Sequence, residues 1–412
     1  MANDPSIWQL YGQTLAGWAD VASTSVLSLA GINTFSDLGS ADIGRCNWSI
    51  YQLGNALPAP TGSYSPHGDW FGAYWLYLSY LLQAAPAPAA TTPLSNRPAA
   101  LPPAAPDFQR YRQLLMALRN PPSATLRAAR TPSPASALAQ AHQDLTQSLA
   151  STAPQVVGAL NLCWLASQQD PTSLNMPVSI ATGTARCPTF SLAQWAQAWK
   201  TWNAPPLLRA SPARVLLTGA TVPLAPIASG NLRAQPPGGW PAFIGLSIAT
   251  PAQPALRGLA SNASTAGTSV SLSMALAQFG SFALTPGGWF NPAFLDASHY
   301  SAPSDAPDFF SANGALGLLP SHALVGLGPQ LTLRASNPAQ AEQLADTVTR
   351  IGPFSVQAST TVQLPPDASG SSGQVDIHFD AQDSNVPVLL GVVSQPARPT
   401  TIPSTDKQGG LR

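Results

Sequence analysis

The sequence predicts an α+β protein with a helical N-terminal half and an antiparallel β-rich C-terminal half that contains one packed helix. Apolar residues recur at helical spacing through the first half and at every second position through much of the second. Pro205-Pro206 lies between the two patterns, and the residue before a proline disfavours helix. We therefore expect a mainly helical domain at 1–204, a β-rich domain at 205–396 and a flexible tail at 397–412.

Capping residues and apolar stripes predict the helices of the first half. Asp4-Pro5 combines an N-cap residue with proline at the first helical position, and Asp69 can cap a second helix. The predicted helices run from Pro5 into the low twenties, from Asp69 through Leu81, from Asp107 to Arg119, from Ser133 through Leu149, from Gln155 to Ser167 and from Ser191 through Trp202. His142 lies on the fourth stripe, where the pattern favours a packing histidine because no second ligand follows at helical spacing.

Two Ala- and Pro-rich stretches, near 84–106 and 120–134, interrupt these helices. Repeated proline removes backbone donors and favours extended chain, so both are expected to be linkers or long surface loops.

The clearest strand pattern runs from Phe354 to Asp380. Apolar or small residues alternate with polar ones from Phe354 to Leu364, and the alternation resumes at Val375 after a turn-rich loop, which predicts a hairpin. Further strands are predicted at 214–222, 242–249, 268–277 and 322–335, with one helix beginning at Asn337-Pro338.

Charged residues make up only 9% of the chain, against about 25% in ordinary soluble domains, and the formal net charge is zero. Surfaces of this kind repel one another weakly, so a homo-oligomer is expected.

The few charges are unevenly distributed along the chain. Residues 97–130 carry six arginines and one acid, a net charge of +5, whereas residues 296–383 carry nine acids and two arginines, a net charge of −7. Arg110, Arg112 and Arg119 are therefore candidates for a basic docking segment, within one chain or between copies. Nucleic acid is not expected as a partner, because the whole chain is neutral and few aromatics accompany the arginines.

Two groups of side chains are candidates for binding. Trp195, Trp199 and Trp202 share a helical face and, with Trp289 and Phe290 in a later turn, could present a partner or ligand surface; the alternative is that the tryptophans pack between the two halves. Asp376, His378 and Asp380 alternate on one strand face and could hold a divalent cation, the only cofactor considered; the alternative is a solvated outer face.

The usual sequence motifs of enzymes are absent. The chain has no phosphate-binding glycine-rich loop with its lysine, no dinucleotide fingerprint and no Gly-x-Ser-x-Gly elbow, and it identifies no small-molecule partner. Neither an ordinary secretory signal nor a membrane-spanning helix is visible, so the chain is expected to be cytoplasmic as synthesised.

Three functional classes stay open. The first is a non-enzymatic self-assembling or binding protein with a low-charge β-rich surface. The second is a pore former, because a hairpin with one aliphatic and one Ser/Thr/Gln-rich face resembles the membrane-inserting hairpins of β-barrel toxins; membrane contact would then follow a conformational change. The third is a hydrolase-type enzyme whose catalytic residues are distant in sequence.

Overall fold

A computed structural model gives the fold. It describes residues 5–31, 36–41, 43–58, 63–64, 68–84, 107–119, 134–168, 179–180, 183–184, 187–204, 213–223, 242–246, 269–296, 300, 302–311, 313–363, 373–382 and 384–398. Within these residues the chain forms eight α-helices and a ten-stranded antiparallel sheet, which confirms the predicted α+β class.

The helices are α1 (Pro5–Trp18), α2 (Ile43–Asn55), α3 (Trp70–Ala84), α4 (Phe108–Arg119), α5 (Pro134–Leu149), α6 (Pro154–Gln168), α7 (Trp195–Trp202) and α8 (Pro338–Thr347). The strands are β1 (Val26–Leu29), β2 (Ser179–Ile180), β3 (Gly183–Thr184), β4 (Phe190–Leu192), β5 (Arg214–Pro223), β6 (Ile244–Leu246), β7 (Ser269–Pro286), β8 (Leu318–Ala335), β9 (Val348–Ile351), β10 (Phe354–Gln363), β11 (Val375–Ala381) and β12 (Val388–Pro396). Residues 85–106, 120–133 and 399–412, where loops and a tail were predicted, lie outside the described residues.

The chain divides into two compact units, and neither is continuous in sequence. A sheet unit comprises 1–68, 170–286 and 320–394, and a helical unit comprises 69–169, 287–319 and 395–412. This division does not follow the predicted boundary at 205. Helices α1, α2 and α7 belong to the sheet unit because their apolar faces pack on its strands.

Strand β8 is the centre of the sheet. From His322 to Arg334 it pairs with β7, and on its other side it pairs with β12 and then with β11. The sheet continues from β12 to β1, and from β11 through β10 and β9 to β6, while β4 and β5 pair with opposite ends of β7. Strands β2 and β3 form a separate hairpin.

Helices pack on both faces of the sheet. On one face, α1 and α8 enclose a core that includes Trp8, Tyr11 and Leu344 together with Leu331 and Ile377 of the strands. On the other face, α2 and α7 cover the ends of β7, β8 and β12 around a second core. Because β12 is covered on both faces, its consecutive residues Leu389 and Leu390 belong to different cores.

The helical unit is built on α3, whose aromatic side chains are buried on most of its surface. Helices α3, α4, α5 and α6 each pack on two of the others, and the segment 287–319 adds Trp289 and Phe294 to the same interior. Asp69 caps α3 as predicted, with its Oδ1 accepting the backbone N–H of Gly72 at 3.0 Å. None of the helices in the described part of the chain is long and apolar enough to span a bilayer.

Candidate binding surface

A regular polar surface of the sheet unit is formed by five strands in the order β10, β11, β8, β7 and β5. We call it the outer face; the opposite side of these strands packs on α1 and α8. Three rows of residues cross it in register: Val362, Asp376, Arg334, Ser271 and Thr221; Thr360, His378, Thr332 and Ser273; and Gln357, Asp380, Gln330, Ala275 and Val215.

Hydrogen bonds between neighbouring strands order the first two rows. Arg334 donates to both carboxylate oxygens of Asp376, from Nε at 2.8 Å and from Nη2 at 3.1 Å. This hydrogen bond raises the pKa of the Arg334 guanidinium. Nδ1 of His378 lies 3.1 Å from the hydroxyl of Thr332, which leaves the remaining imidazole nitrogen on the exposed surface.

A β-bulge changes which residues reach this face. The register between β10 and β11 shifts between Ala358 and Thr360, so Ser359 is an extra residue in β10. Strict alternation, as predicted, would place Val362 on the buried side with Val356. The bulge instead places Val362 opposite Asp376 on the outer face, where 45% of its side chain is exposed.

The far end of β10 is an exposed sheet edge. β10 pairs with β11 along its length but with β9 only at Phe354 and Ser355, and no other described strand pairs with it. All four residues from Ser359 to Val362 are exposed, and none carries a charge. Such an edge presents unpaired backbone N–H and C=O groups that can add another strand.

The opposite edge of the outer face, strand β5, is irregular. Its register with β7 shifts twice, and Gly219 has a positive φ of 59°. Arg214 stands at one end of the strand and Pro223 at the other. Bulges, a terminal charge and proline are features that hinder strand addition, so β10 is the more receptive of the two long edges.

The predicted metal residues lie together on the outer face, where Asp376 already binds Arg334. Among the described residues, no group of three His, Cys, Asp or Glu side chains is placed to hold a metal ion. The divalent cation therefore stays a sequence prediction, and nothing below depends on it.

The aromatic candidates are mostly interior residues of their own units. Trp195 and Trp202 are buried against Phe282 of β7, and Trp289 is buried in the helical unit; only Trp199 and Phe290 are partly exposed. Tryptophan has the largest apolar area of any side chain, which favours burial wherever its indole N–H finds an acceptor. Nε1 of Trp195 finds one in the carbonyl of Leu38, at 2.9 Å. Ser191, expected to begin helix α7, instead pairs with Thr285 in the sheet.

Two of the three candidate docking arginines have partners inside the helical unit. Arg119 binds the carboxylate of Asp69, with Nε donating to Oδ2 at 2.8 Å. Arg112 is buried, lies over the ring of Tyr80 at 3.4 Å and donates to Ser79 and Gln83. Only Arg110 is exposed. Of these three arginines, Arg110 is therefore the one available to a partner, and the docking role stays a prediction.

Comparison with known proteins identifies no relative: no family model, no curated protein and no solved structure matches the chain. Within the described residues, the fold and the outer face thus define an α+β protein with an exposed polar sheet and a β10 edge that no other described strand covers beyond Ser355, and any function must be argued from those features.

Proposed function

We propose that this chain is a non-enzymatic assembly protein, and that copies associate by antiparallel pairing of their β10 edges. The observation that supports the proposal is the exposed, uncharged and unpaired end of β10 from Ser359 to Val362. In such a pair each strand would satisfy the backbone groups of the other, and each protein would extend the sheet of its partner.

The composition favours the same function. With 9% charged residues and a formal net charge of zero, two copies experience little long-range repulsion as their edges approach. The edge residues themselves are serine, threonine and valine. Threonine and valine favour strand conformation, and no lysine in this stretch opposes a second strand.

Size-exclusion chromatography with light scattering tests the proposal over a hundredfold range of protein concentration. The wild-type chain should shift to a larger species as concentration rises. Val362→Lys, which places a charge on the β10 edge, should keep the chain monomeric over that range. Val215→Lys is the matched control, because Val215 is also exposed on the outer face but lies on the irregular edge strand β5.

A wild-type chain that remains monomeric throughout would refute the proposal, and so would equal effects of the two lysine variants. Dye release from liposomes, measured in parallel, tests the pore-forming alternative. Release that depends on β10 and β11 would favour that class instead, because both strands would then have to leave the sheet.

A further inference from the structure

The acceptors that the described residues offer to the guanidinium of Arg350 in β9 are all backbone carbonyl groups. Its Nη1 donates to the carbonyls of Gly31 at 2.8 Å and Gly352 at 3.3 Å, and its Nη2 donates to the carbonyl of Ala242 at 2.7 Å. Within the described residues, no carboxylate lies within ion-pair distance of this guanidinium. Arg350 therefore differs from Arg119 and Arg334, each of which binds an aspartate.

The surroundings of Arg350 do not neutralise its charge. Carbonyl dipoles replace part of the lost hydration of a guanidinium, but they supply no counter-charge. Burial lowers the pKa of Arg350, which is the direction expected when the charged form loses water without gaining an anionic partner.

Part of the guanidinium has no acceptor in the described part of the chain. A guanidinium has five N–H donors, and the three hydrogen bonds above use both donors of Nη1 and one of Nη2. The Nε donor and the second Nη2 donor remain. Nε and Nη2 are also the atoms through which Arg119 and Arg334 hold Asp69 and Asp376. Nε and Nη2 form the side of a guanidinium that usually binds a carboxylate or a phosphate through two parallel hydrogen bonds.

Gly245 leaves room for the Arg350 side chain to lie across the backbone of β6. Gly245 is the register partner of Arg350 in β6, and a Cβ atom there would lie 3.1 Å from Nε and 3.7 Å from Nη2. Any residue other than glycine would place its side chain against the two atoms that still have donors to offer.

The stretch of sequence that contains β6 has no acidic residue over more than a hundred positions. Between Asp170 and Asp296 there is no Asp or Glu, while there are six basic residues: Arg186, Lys200, Arg209, Arg214, Arg233 and Arg257. The sequence on either side of Gly245 therefore provides no carboxylate to compensate Arg350, and the net charge of this stretch is positive.

We propose that the Nε and Nη2 edge of Arg350 binds an oxyanion, either a carboxylate or a phosphate group of a ligand. The backbone carbonyls fix the guanidinium plane, Gly245 accommodates the Arg350 side chain across β6, and the incoming anion supplies the missing counter-charge. The site is in the sheet unit, distinct from the β10 edge, and its existence does not depend on assembly.

Thermal unfolding of the full chain tests this site in sodium phosphate, sodium sulfate and sodium acetate, each compared with sodium chloride at equal ionic strength. Phosphate and sulfate also stabilise proteins by exclusion from their surfaces. The informative quantity is therefore the difference between wild type and variant in the rise of the unfolding temperature that each anion causes. Arg350→Lys retains the charge but loses the fork, and should weaken anion binding about tenfold. Arg334→Lys is the control, because that fork is already occupied by Asp376.

A rise of the unfolding temperature with phosphate and sulfate alone identifies a tetrahedral oxyanion, and a rise with acetate alone identifies a carboxylate. Either result supports the site if Arg350→Lys reduces the rise and Arg334→Lys does not. Gly245→Ala provides a second test that keeps Arg350 and should also reduce the shift. Equal anion shifts in wild type, Arg350→Lys and Gly245→Ala would overturn the proposal, as would no difference from chloride in the wild type.

Discussion

Nδ1 of His142 lies 3.2 Å from the hydroxyl of Tyr111 in the interior of the helical unit. That hydroxyl accepts the indole N–H of Trp75 at 2.8 Å, and Nε2 of His142 lies 2.9 Å from Oδ1 of Asn161. Because an amide oxygen only accepts, the proton of the neutral ring lies on Nε2, and Tyr111 donates to Nδ1. One residue from each of α3, α4, α5 and α6 thus joins a single hydrogen-bonded chain.

The stability of the helical unit should fall as the solution is acidified from pH 7.5 to 5.5. Burial lowers the pKa of His142, so the unfolded chain binds a proton more readily than the folded one. The free energy of unfolding is therefore unaffected well above the ordinary histidine pKa of about 6.5 and decreases as pH falls through it. Urea unfolding midpoints measure this decrease.

His142→Gln is the matching variant for that experiment. It should cost about 1–2 kcal/mol at pH 7.5, because the stacking on Trp164 and the hydrogen bond with Tyr111 are lost. Its midpoint should then vary less with pH than that of the wild type. His378→Gln, on the exposed sheet face, should retain the wild-type dependence; a wild-type slope in His142→Gln would contradict the assignment.

Two arginine–aspartate pairs of the same geometry should differ in their contribution to stability. Asp69 and Arg119 have side-chain exposures of 25% and 15%; in the other pair Asp376 is 15% exposed, but Arg334 is 49% exposed. Asp69→Asn should cost about 2 kcal/mol. Asp376→Asn should cost less than about 1 kcal/mol, because water screens the guanidinium of Arg334. Chemical denaturation of both variants gives the comparison, and equal costs would refute it.

Arg112 should matter for folding, and Arg110 should not. The planar guanidinium of Arg112 stacks on Tyr80 and donates to Ser79 and Gln83, which an ammonium group cannot reproduce. Arg112→Lys should lower the free energy of unfolding by about 2 kcal/mol. Arg110→Lys, at an exposed position two residues earlier, should change it by less than about 0.5 kcal/mol. A comparable loss in both variants would mean that helix propensity, not packing, is responsible.

Two helical glycines should respond oppositely to alanine. A Cβ at Gly54 of α2 would clash with the ring of Phe190, whereas a Cβ at Gly158 of α6 would meet nothing within 4 Å. Gly54→Ala should destabilise the chain by about 1–3 kcal/mol through overpacking. Gly158→Ala should stabilise it by about 0.5–1 kcal/mol through improved helix propensity. Thermal denaturation of the two variants shows whether each substitution raises or lowers the stability.

Helices with local signals were predictable from the sequence. The starts of α3 and α8 were marked by Asp69 and Asn337, whose side chains accept the backbone N–H groups of Gly72 and Gln340. Strand β12 was missed because both of its faces are buried, which removes the alternation that identifies a strand. Helix α2 was missed because glycines and polar residues interrupt its apolar stripe.

The candidate surface was predictable only in part. Alternation correctly placed Asp376 and His378 on the polar face of β11. The strand pairing and the exposures of the two side chains both agree with this placement. The bulge at Ser359 was not predictable, since serine and threonine occur on both sides of it and either phase suits them. The unpaired edge of β10 and the carbonyl cage of Arg350 depend on strands distant in sequence, which no local pattern reports.

The pairing of β1 with β12 sets an order of events during synthesis. Leu29 lies opposite Gly391, so β1 cannot find this neighbour until β12, much later in the sequence, has left the ribosome. The helical unit waits too, because Trp289 reaches the aromatic side chains of α3 from a segment translated much later. A nascent chain of this protein therefore carries exposed aromatic and aliphatic surfaces until these later segments have been made, a period in which chaperones have the greatest opportunity to bind it.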